Sequence, residues 1–345
     1  MVSPISGSLA SNESEPLTLS ADITGLSAGH YGYCFEVSDP LAQNSPQLVN
    51  VNLKIGGALY VSWDYPAIQA AINDAESLDT VIVAPGTYYE NINFNGKSIV
   101  LTSVDPNDPN IVAATILEGS GHRSVVTFYG NETSVCELRG FTITGGDAVR
   151  GGGIYGGNTH ASISNCTIMG NSAYYYGGGL LHCDGRITNC IIIGNRSFHD
   201  GGGLDGCDGT IMNCIIIGNR ASGYGGGLVW CDGGAITNCI IWSNVGWGFY
   251  EQISFSSTPT YTCIEDWIGG GTGNIASNPL FTDTSSADLV DWDLHLLPNS
   301  PCIDTGTNTP LSGLPATDIE GNPRIVDGDS NGSEIVDMGV YEYVP

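Results

Sequence analysis

The sequence predicts an all-β protein: a right-handed parallel β-helix with 24-residue coils, an N-terminal capping helix and a small N-terminal partial β-sandwich. Three observations predict it: a repeat of 24 residues, asparagine columns that keep this repeat, and glycine triplets between short β-branched runs. The first asparagine column consists of Asn165, Asn189, Asn213 and Asn238, at steps of 24, 24 and 25 residues. A unit of this length holds two or three short strands and their bends, but no helical hairpin.

The repeat also predicts how equivalent residues stack. A second asparagine column consists of Asn171, Asn195, Asn219 and Asn244, and glycine triplets begin at Gly177, Gly201 and Gly225. Equivalent residues in neighbouring coils lie about 4.8 Å apart, so asparagine amides can hydrogen-bond from coil to coil. A leucine-rich horseshoe is the alternative repeat fold, but its leucine spacing and its helices are missing.

Differences between the copies indicate which side chains face inward. The cysteine column (Cys166, Cys190, Cys214, Cys239) and the isoleucine column two residues later are uniform, so both should point into the core. The alternate positions vary and should point outward, although they are apolar. This apolar outer interface consists of Ile191, Ile193, Ile215, Ile217, Ile240 and Trp242. We expect residues 265–345 of the same chain, or a second protomer, to cover it.

Three domains are predicted: residues 1–58, 59–265 and 266–345. The first has strand-like runs near Leu17–Asp22, Tyr31–Ser38 and Gln47–Ile55. Three or four strands are fewer than the roughly seven of a complete sandwich. Strands from another chain are expected to complete this segment, and docking onto its own β-helix is the alternative.

Several motifs resemble known families. Cys-Ile-Ile-Ile-Gly-Asn followed by Gly-Gly-Gly-Leu is similar to the repeats of polymorphic outer-membrane proteins and of bacterial β-helix surface proteins. The stretch from Asp64 to Ser103 resembles the N-terminal cap of pectin-lyase-like β-helices, which implies an amphipathic helix near Ala67–Ala75. Residues 1–58 resemble part of an immunoglobulin-like bacterial module.

The C-terminal stretch has the motifs NPLF at 278–281, SPCID at 300–304 and DMGVYE at 337–342. It is similar to the end of choice-of-anchor β-helix proteins of bacterial surfaces. These resemblances imply a secreted or cell-surface location, but they say little about activity, because this fold hosts lyases, hydrolases and inert fibres.

The charge balance limits the partners of the protein. Nine Lys and Arg against 36 Asp and Glu give a formal net charge of −27. Such a surface repels nucleic acid and anionic lipid and suits cation binding. No run of 18 apolar residues is present, so no transmembrane segment is predicted.

Two acidic patterns are candidate cation sites. Asp327, Asp329 and Asn331, followed by Gly332, match the first half of an EF-hand-like calcium loop. Position 12 of that loop is Met338 rather than Glu, and a polar hairpin is the alternative. The second pattern is a ladder for a cation or a glycan (Asp184, Asp208, Asp232), for which a repeated Asp-Gly turn is the alternative.

Two interpretations are possible for the eleven cysteines, and two for the aromatic residues. Stacked cysteines are close enough for disulfides, but parallel Cβ vectors favour a ladder of buried, reduced thiols. The aromatic residues Trp230, Trp247 and Tyr250 either stack on a glycan or close the C-terminal end of the core.

Two functions remain open. The first is a noncatalytic extracellular structural or adhesive protein that self-associates, with filaments built by strand complementation through residues 1–58. The alternative is a polysaccharide lyase or glycoside hydrolase acting on an extracellular glycan. The regular repeat and the scarcity of Lys and Arg favour the first, and no catalytic residue stands out.

Overall fold

The computed structural model describes residues 2–3, 18–20, 29–37, 46–247 and 251–345. The chain divides into two compact units, Met1–Gly57 and Ala58–Pro345. In the first unit, Val2–Ser3 pairs with Thr18–Leu19, and Gly29–Val37 pairs with Gln47–Ile55, both antiparallel.

The second unit is a stack of coils whose strands form three parallel sheets. Sheet 1 contains Ala58–Val61, Thr80–Val83, Val100–Ser103, Glu137–Arg139, Ser162–Ser164, Ile187–Thr188, Ile211–Met212 and Ile236–Thr237. Sheet 2 contains Gly86–Tyr88, Thr115–Glu118, Thr142–Thr144, Thr167–Met169, Ile191–Ile193, Ile215–Ile217, Ile240–Trp242 and Cys263–Ile264.

Sheet 3 contains Ile92–Asn93, Val126–Thr127, Ile154–Thr159, Leu180–Cys183, Leu204–Asp205, Leu228–Val229 and Ile253–Ser254. A corner ladder between sheets 2 and 3 contains Asp147–Ala148, Ser172–Ala173, Arg196–Ser197 and Arg220–Ala221. Strand order within every sheet of the stack follows chain order, so each strand pairs with its equivalent one coil later. The predicted all-β parallel β-helix is therefore confirmed.

Short helices and a hairpin complete the second unit. Helix α1, Ile68–Asp74, buries Ile68, Ala71 and Ile72 against the interior of the coils, which confirms the predicted capping helix. Helix α2, Pro109–Ala114, was not predicted; the side chain of Asp108 caps it by accepting a hydrogen bond from the backbone N–H of Asn110. A hairpin pairs Phe281–Asp283 with Asp293–Leu296, around a 3-10 turn at Leu289–Asp291. None of the helices in the described ranges is long and apolar enough to cross a bilayer.

The two asparagine columns play different structural roles. Asn165, Asn189, Asn213 and Asn238 have left-handed backbone conformations (φ 50–55°) and turn the chain from sheet 1 to sheet 2. The other column is a buried ladder, in which Nδ2 of Asn171 donates to Oδ1 of Asn195 at 3.1 Å and Nδ2 of Asn195 to Oδ1 of Asn219 at 3.0 Å. The four coils that contain this ladder, from Asn171 to Asn244, are thus tied together by buried amides whose hydrogen bonds are satisfied.

The outer face of sheet 2 is covered by the C-terminal segment of the same chain. Ile191, Ile193, Ile215, Ile217 and Ile240 are at most 9% exposed, whereas Trp242 is partly buried. They form a second apolar cluster with residues that include Leu294, Leu296, Ile319, Met338 and Val340. Each isoleucine buried in this way contributes about 1.5–3 kcal/mol, so the C-terminal segment is a structural part of the stack.

Candidate functional site

A row of aromatic side chains lies on the outside of sheet 3 toward the C-terminal end of the stack. The ring of Trp230 stacks on that of Phe255, with centroids 4.4 Å apart and planes 11° apart, and the Trp230 side chain remains 49% exposed. Tyr224 contacts both Phe255 and Trp247, at centroid distances of 5.4 and 5.7 Å. The row therefore presents open ring faces to solvent.

This arrangement argues against the interpretation that these aromatic residues close the C-terminal end of the core. Trp230 and Trp247 do not close the core, since Trp247 is 66% exposed. Trp267, which is not among the predicted site residues, packs against the core of the coils instead. Tyr250 lies outside the described residues.

Beside the aromatic row lies a hollow of about 320 Å³, lined by Arg150, Tyr155, Tyr176, Leu181, His182, Asp200, Asp205 and Trp230. A second hollow of about 410 Å³ shares Arg150 and Tyr155 with it and continues past Asn93, His122 and Arg123. The two hollows form one elongated groove across the coils, which we call the sheet 3 groove.

Asp205 is the most unusual residue of the sheet 3 groove. It pairs with Leu181 in the preceding coil and with Val229 in the following coil. A carboxylate therefore occupies a position at which both neighbouring coils have apolar side chains. Its side chain is 5% exposed, and its Oδ2 atom has no hydrogen-bond partner. Burial above all, and then the nearby Cys207 and Asp200, raises the pKa of Asp205 to about 7.

Two further residues of the groove adopt a backbone conformation that costs energy. His182 and Trp230 occupy equivalent positions in their coils and have φ values of 51° and 55°, in the left-handed region. The intermediate coil has Gly206 there, with φ 56°, and the imidazole of His182 lies over that glycine. A left-handed Trp or His costs about 1 kcal/mol or more, and such strain is concentrated at functional sites.

A carboxylate and a cation complete the walls of the hollow. Asp200 is held by the backbone N–H of Tyr224, which donates to its Oδ1 at 2.7 Å. The guanidinium carbon of Arg150 lies 5.9 Å from the centroid of the Tyr176 ring. The sheet 3 groove thus combines carboxyl groups with aromatic faces, a combination that suits a sugar ring with polar substituents.

Asp205 is not among the site residues predicted from the sequence. Its equivalents in the adjacent coils are Leu181 and Val229, so it departs from the repeat. The inner and outer columns predicted from the repeat concern only the strand of sheet 2, and Asp205 lies in sheet 3.

The aspartate ladder is joined by hydrogen bonds between neighbouring coils. Asp208 N–H donates to Oδ1 of Asp184 at 3.2 Å, and Asp232 N–H donates to Oδ1 of Asp208 at 3.1 Å. Burial raises the pKa of Asp184, whose carboxyl also lines a separate hollow with His160 and Glu132. The carboxylates of Asp184 and Asp208 are thus engaged with the backbone of the following coil.

The structure brings Asp327 and Asp329 together with Asp304, and one oxygen of each carboxylate lies within 4.8 Å of the others. Asp304, which the loop motif does not include, is 9% exposed and accepts hydrogen bonds from the N–H groups of Gly328 and Asp329. Three convergent carboxylates are hard oxygen ligands of the kind that Ca²⁺ prefers, so these residues fit such an ion.

The other residues of the calcium-loop motif have structural roles. Asn331 donates from Nδ2 to Asp329 at 2.8 Å, and its Oδ1 accepts the N–H of Ser333 at 2.8 Å. Met338, at position 12, is fully buried in the second apolar cluster. The cluster of three carboxylates therefore differs from an EF-hand in its last ligand.

All eleven cysteines are unpaired thiols, and Cys34 alone is exposed. Cys190 donates from Sγ to the carbonyl oxygen of Thr188 at 3.2 Å, as the other cysteines of its column do with their own neighbours. Burial raises the pKa of the Cys190 thiol well above its usual range, so this group stays protonated and acts as a small core residue.

The comparison with protein families agrees with this architecture. No curated protein matches the chain. A solved structure entitled "Crystal structure of pectate lyase Pel9A" aligns over 85% of this chain and 98% of its own, at 13% identity and a TM-score of 0.33. Residues 99–262 match the family described as "Right handed beta helix region", so this part of the chain is a right-handed parallel β-helix.

Proposed function

We propose that this protein is a noncatalytic extracellular or cell-surface adhesive protein that binds a glycan along the sheet 3 groove. The observation that carries the proposal is the exposed aromatic row beside the groove, with Trp230 stacked on Phe255. Flat aromatic faces bind the apolar faces of sugar rings. The elongated shape of the groove suits a chain of several sugars.

The surface location rests on independent features of the sequence. The resemblance to choice-of-anchor proteins and to polymorphic outer-membrane proteins supports it, as does the net charge of −27, which suits an extracellular surface. Calcium is part of the proposal, with Asp304, Asp327 and Asp329 as its ligands.

The experiment is to measure binding to a panel of neutral, acidic and basic polysaccharides by affinity electrophoresis. Trp230→Gly is the test variant, because glycine suits the left-handed backbone there, as Gly206 does one coil earlier. We expect it to stay folded and to weaken binding about tenfold or more. Trp63→Ala removes an exposed tryptophan outside the groove, 66% exposed against 49% for Trp230, and should leave binding unchanged. A wild-type protein that none of the polysaccharides retards would overturn the proposal.

Self-association through residues 1–58 is a second proposal. In the part of this unit that the structure describes, the hairpin Gly29–Val37 and Gln47–Ile55 forms a sheet of two strands, with Tyr33 and Leu48 each 68% exposed. Exposed strand edges recruit strands from other chains. Deleting residues 1–55 should abolish filaments or oligomers in light scattering and electron microscopy. A full-length protein that stays monomeric at high concentration with calcium would contradict this proposal.

A polysaccharide lyase or glycoside hydrolase remains the alternative, because the groove contains two carboxyl groups, Asp200 and Asp205. Release of reducing or unsaturated ends from a retarded polysaccharide would favour it. Binding without release of either favours the adhesive function.

A further inference from the structure

We propose that the glycan of the sheet 3 groove carries free amino groups, and that one protonated amine binds beside the carboxyl groups of Asp200 and Asp205. This inference rests on the proposed glycan binding and names the class of sugar. It starts from the buried Asp205, for which the described part of the chain supplies no cationic partner.

Asp205 lacks the compensation that a buried carboxyl group requires. Within the described residues, no Lys, Arg or His nitrogen lies within 4.0 Å of the carboxylate of Asp200 or of Asp205. A buried charge without a partner is strongly unfavourable, and the neighbouring Asp200 adds like-charge repulsion. A ligand cation would relieve both effects at once.

The residues that line the hollow favour an ammonium group on a sugar over a metal ion. Tyr155, Tyr176 and Trp230 line the same space as the two carboxyl groups. Aromatic faces attract ammonium and guanidinium groups and stack on sugar rings, whereas they supply no ligand to a hard metal ion. The guanidinium of Arg150, 5.9 Å from the ring centroid of Tyr176, shows that this ring already accommodates a cation.

The other charged groups around the hollow predict a pH dependence. His182 faces the hollow from the adjacent coil, Arg150 lies at its rim, and the buried Cys207 follows Asp205 by two residues. At low pH, Asp205 is protonated, and the loss of its charge weakens binding of an ammonium group. At high pH the amine loses its proton. Affinity should therefore pass through a maximum near neutral pH.

The test is isothermal titration calorimetry with two oligosaccharides of equal length: β-1,4-linked glucosamine and its fully N-acetylated counterpart. We expect the free-amine oligomer to bind about tenfold more tightly, as a charge-assisted hydrogen bond predicts. Asp205→Asn, which keeps the shape and removes the charge, should abolish this preference and flatten the pH profile.

A matched control distinguishes binding at Asp205 from attraction by the net negative charge of the protein. Asp208→Asn removes an exposed carboxylate of the aspartate ladder and should keep the preference, which should also persist at about 0.3 M salt, where surface charges are screened. Equal binding of the two oligomers, or a preference that Asp205→Asn retains, would overturn the inference. Glycan binding that depends on Trp230 would still support the proposed function in that case. Asp205→Val, which copies Val229 of the next coil, gives a second uncharged variant if Asp205→Asn folds poorly.

Discussion

The guanidinium of Arg324 donates from Nη2 to Oδ1 of Asn189 at 2.7 Å, across 135 residues of chain. The same guanidinium donates from Nη1 to Oε1 of Glu342 at 2.8 Å, and the side chains of Arg324 and Glu342 are each 1% exposed. This buried contact joins the C-terminal segment to an asparagine that turns the chain between sheets 1 and 2.

Arg324→Met is expected to destabilise the protein by about 3–5 kcal/mol, because it leaves the carboxylate of Glu342 buried without its partner. Urea unfolding followed by circular dichroism measures the effect. Arg139→Met is the matched control, since Arg139 and Glu137 form a half-exposed pair at 3.6 Å and such pairs contribute less than about 1 kcal/mol. Similar losses in both variants would contradict a central role for the buried contact.

Stability should fall as the pH rises from about 4 to about 7, because the folded state keeps a proton on Asp205 that the unfolded state has already released. Burial, with Cys207 and Asp200, raises the pKa of Asp205 to about 7 in the folded protein, from an ordinary value of 3.8. Asp337, whose pKa burial likewise raises to about 7, acts in the same direction.

Between pH 5 and pH 8, the free energy of unfolding should therefore fall by roughly 1–4 kcal/mol less in Asp205→Asn than in the wild type. Melting temperatures at both pH values measure the difference, with Asp208→Asn as the exposed control. Equal slopes for the wild type and Asp205→Asn would show that Asp205 is not protonated in the folded state.

Calcium is expected to raise the melting temperature, because an ion held only by the folded state stabilises it by about 2.7 kcal/mol at a hundredfold excess over its dissociation constant. Asp304→Asn and Asp329→Ala should each remove most of this shift, since both residues belong to the cluster of three carboxylates. Asp266→Ala alters an acidic residue outside the cluster and should keep the shift. A melting curve that chelator leaves unchanged would show that the cluster is only a turn.

Thiol titration should find one reactive cysteine in the folded protein and eleven after denaturation without reductant, because ten are buried and only Cys34 is exposed. A reagent such as dithiobis-nitrobenzoate reports both numbers, and Cys34→Ser should remove the fast-reacting thiol. Recovery of three or fewer thiols under denaturant would contradict the ladder of reduced cysteines.

The sequence by itself determined the structure of the individual coil. Its period, its asparagine turns and the inward direction of Cys190 and Ile192 are local properties, because a side chain in a parallel stack sees mainly its own copies one coil away. For the same reason the repeat predicted an apolar outer face at Ile191 and Ile215, and left open what would cover it.

Only the tertiary structure decided the contacts between residues far apart in the sequence. Asp304 joins Asp327 and Asp329, and Arg324 meets Asn189, because the C-terminal segment folds back over sheet 2. The sheet 3 groove likewise combines residues from several coils, and Asp205 acquires its raised pKa from burial by neighbours. Burial and the convergence of distant side chains depend on how coils and segments pack, which a periodic sequence pattern does not encode.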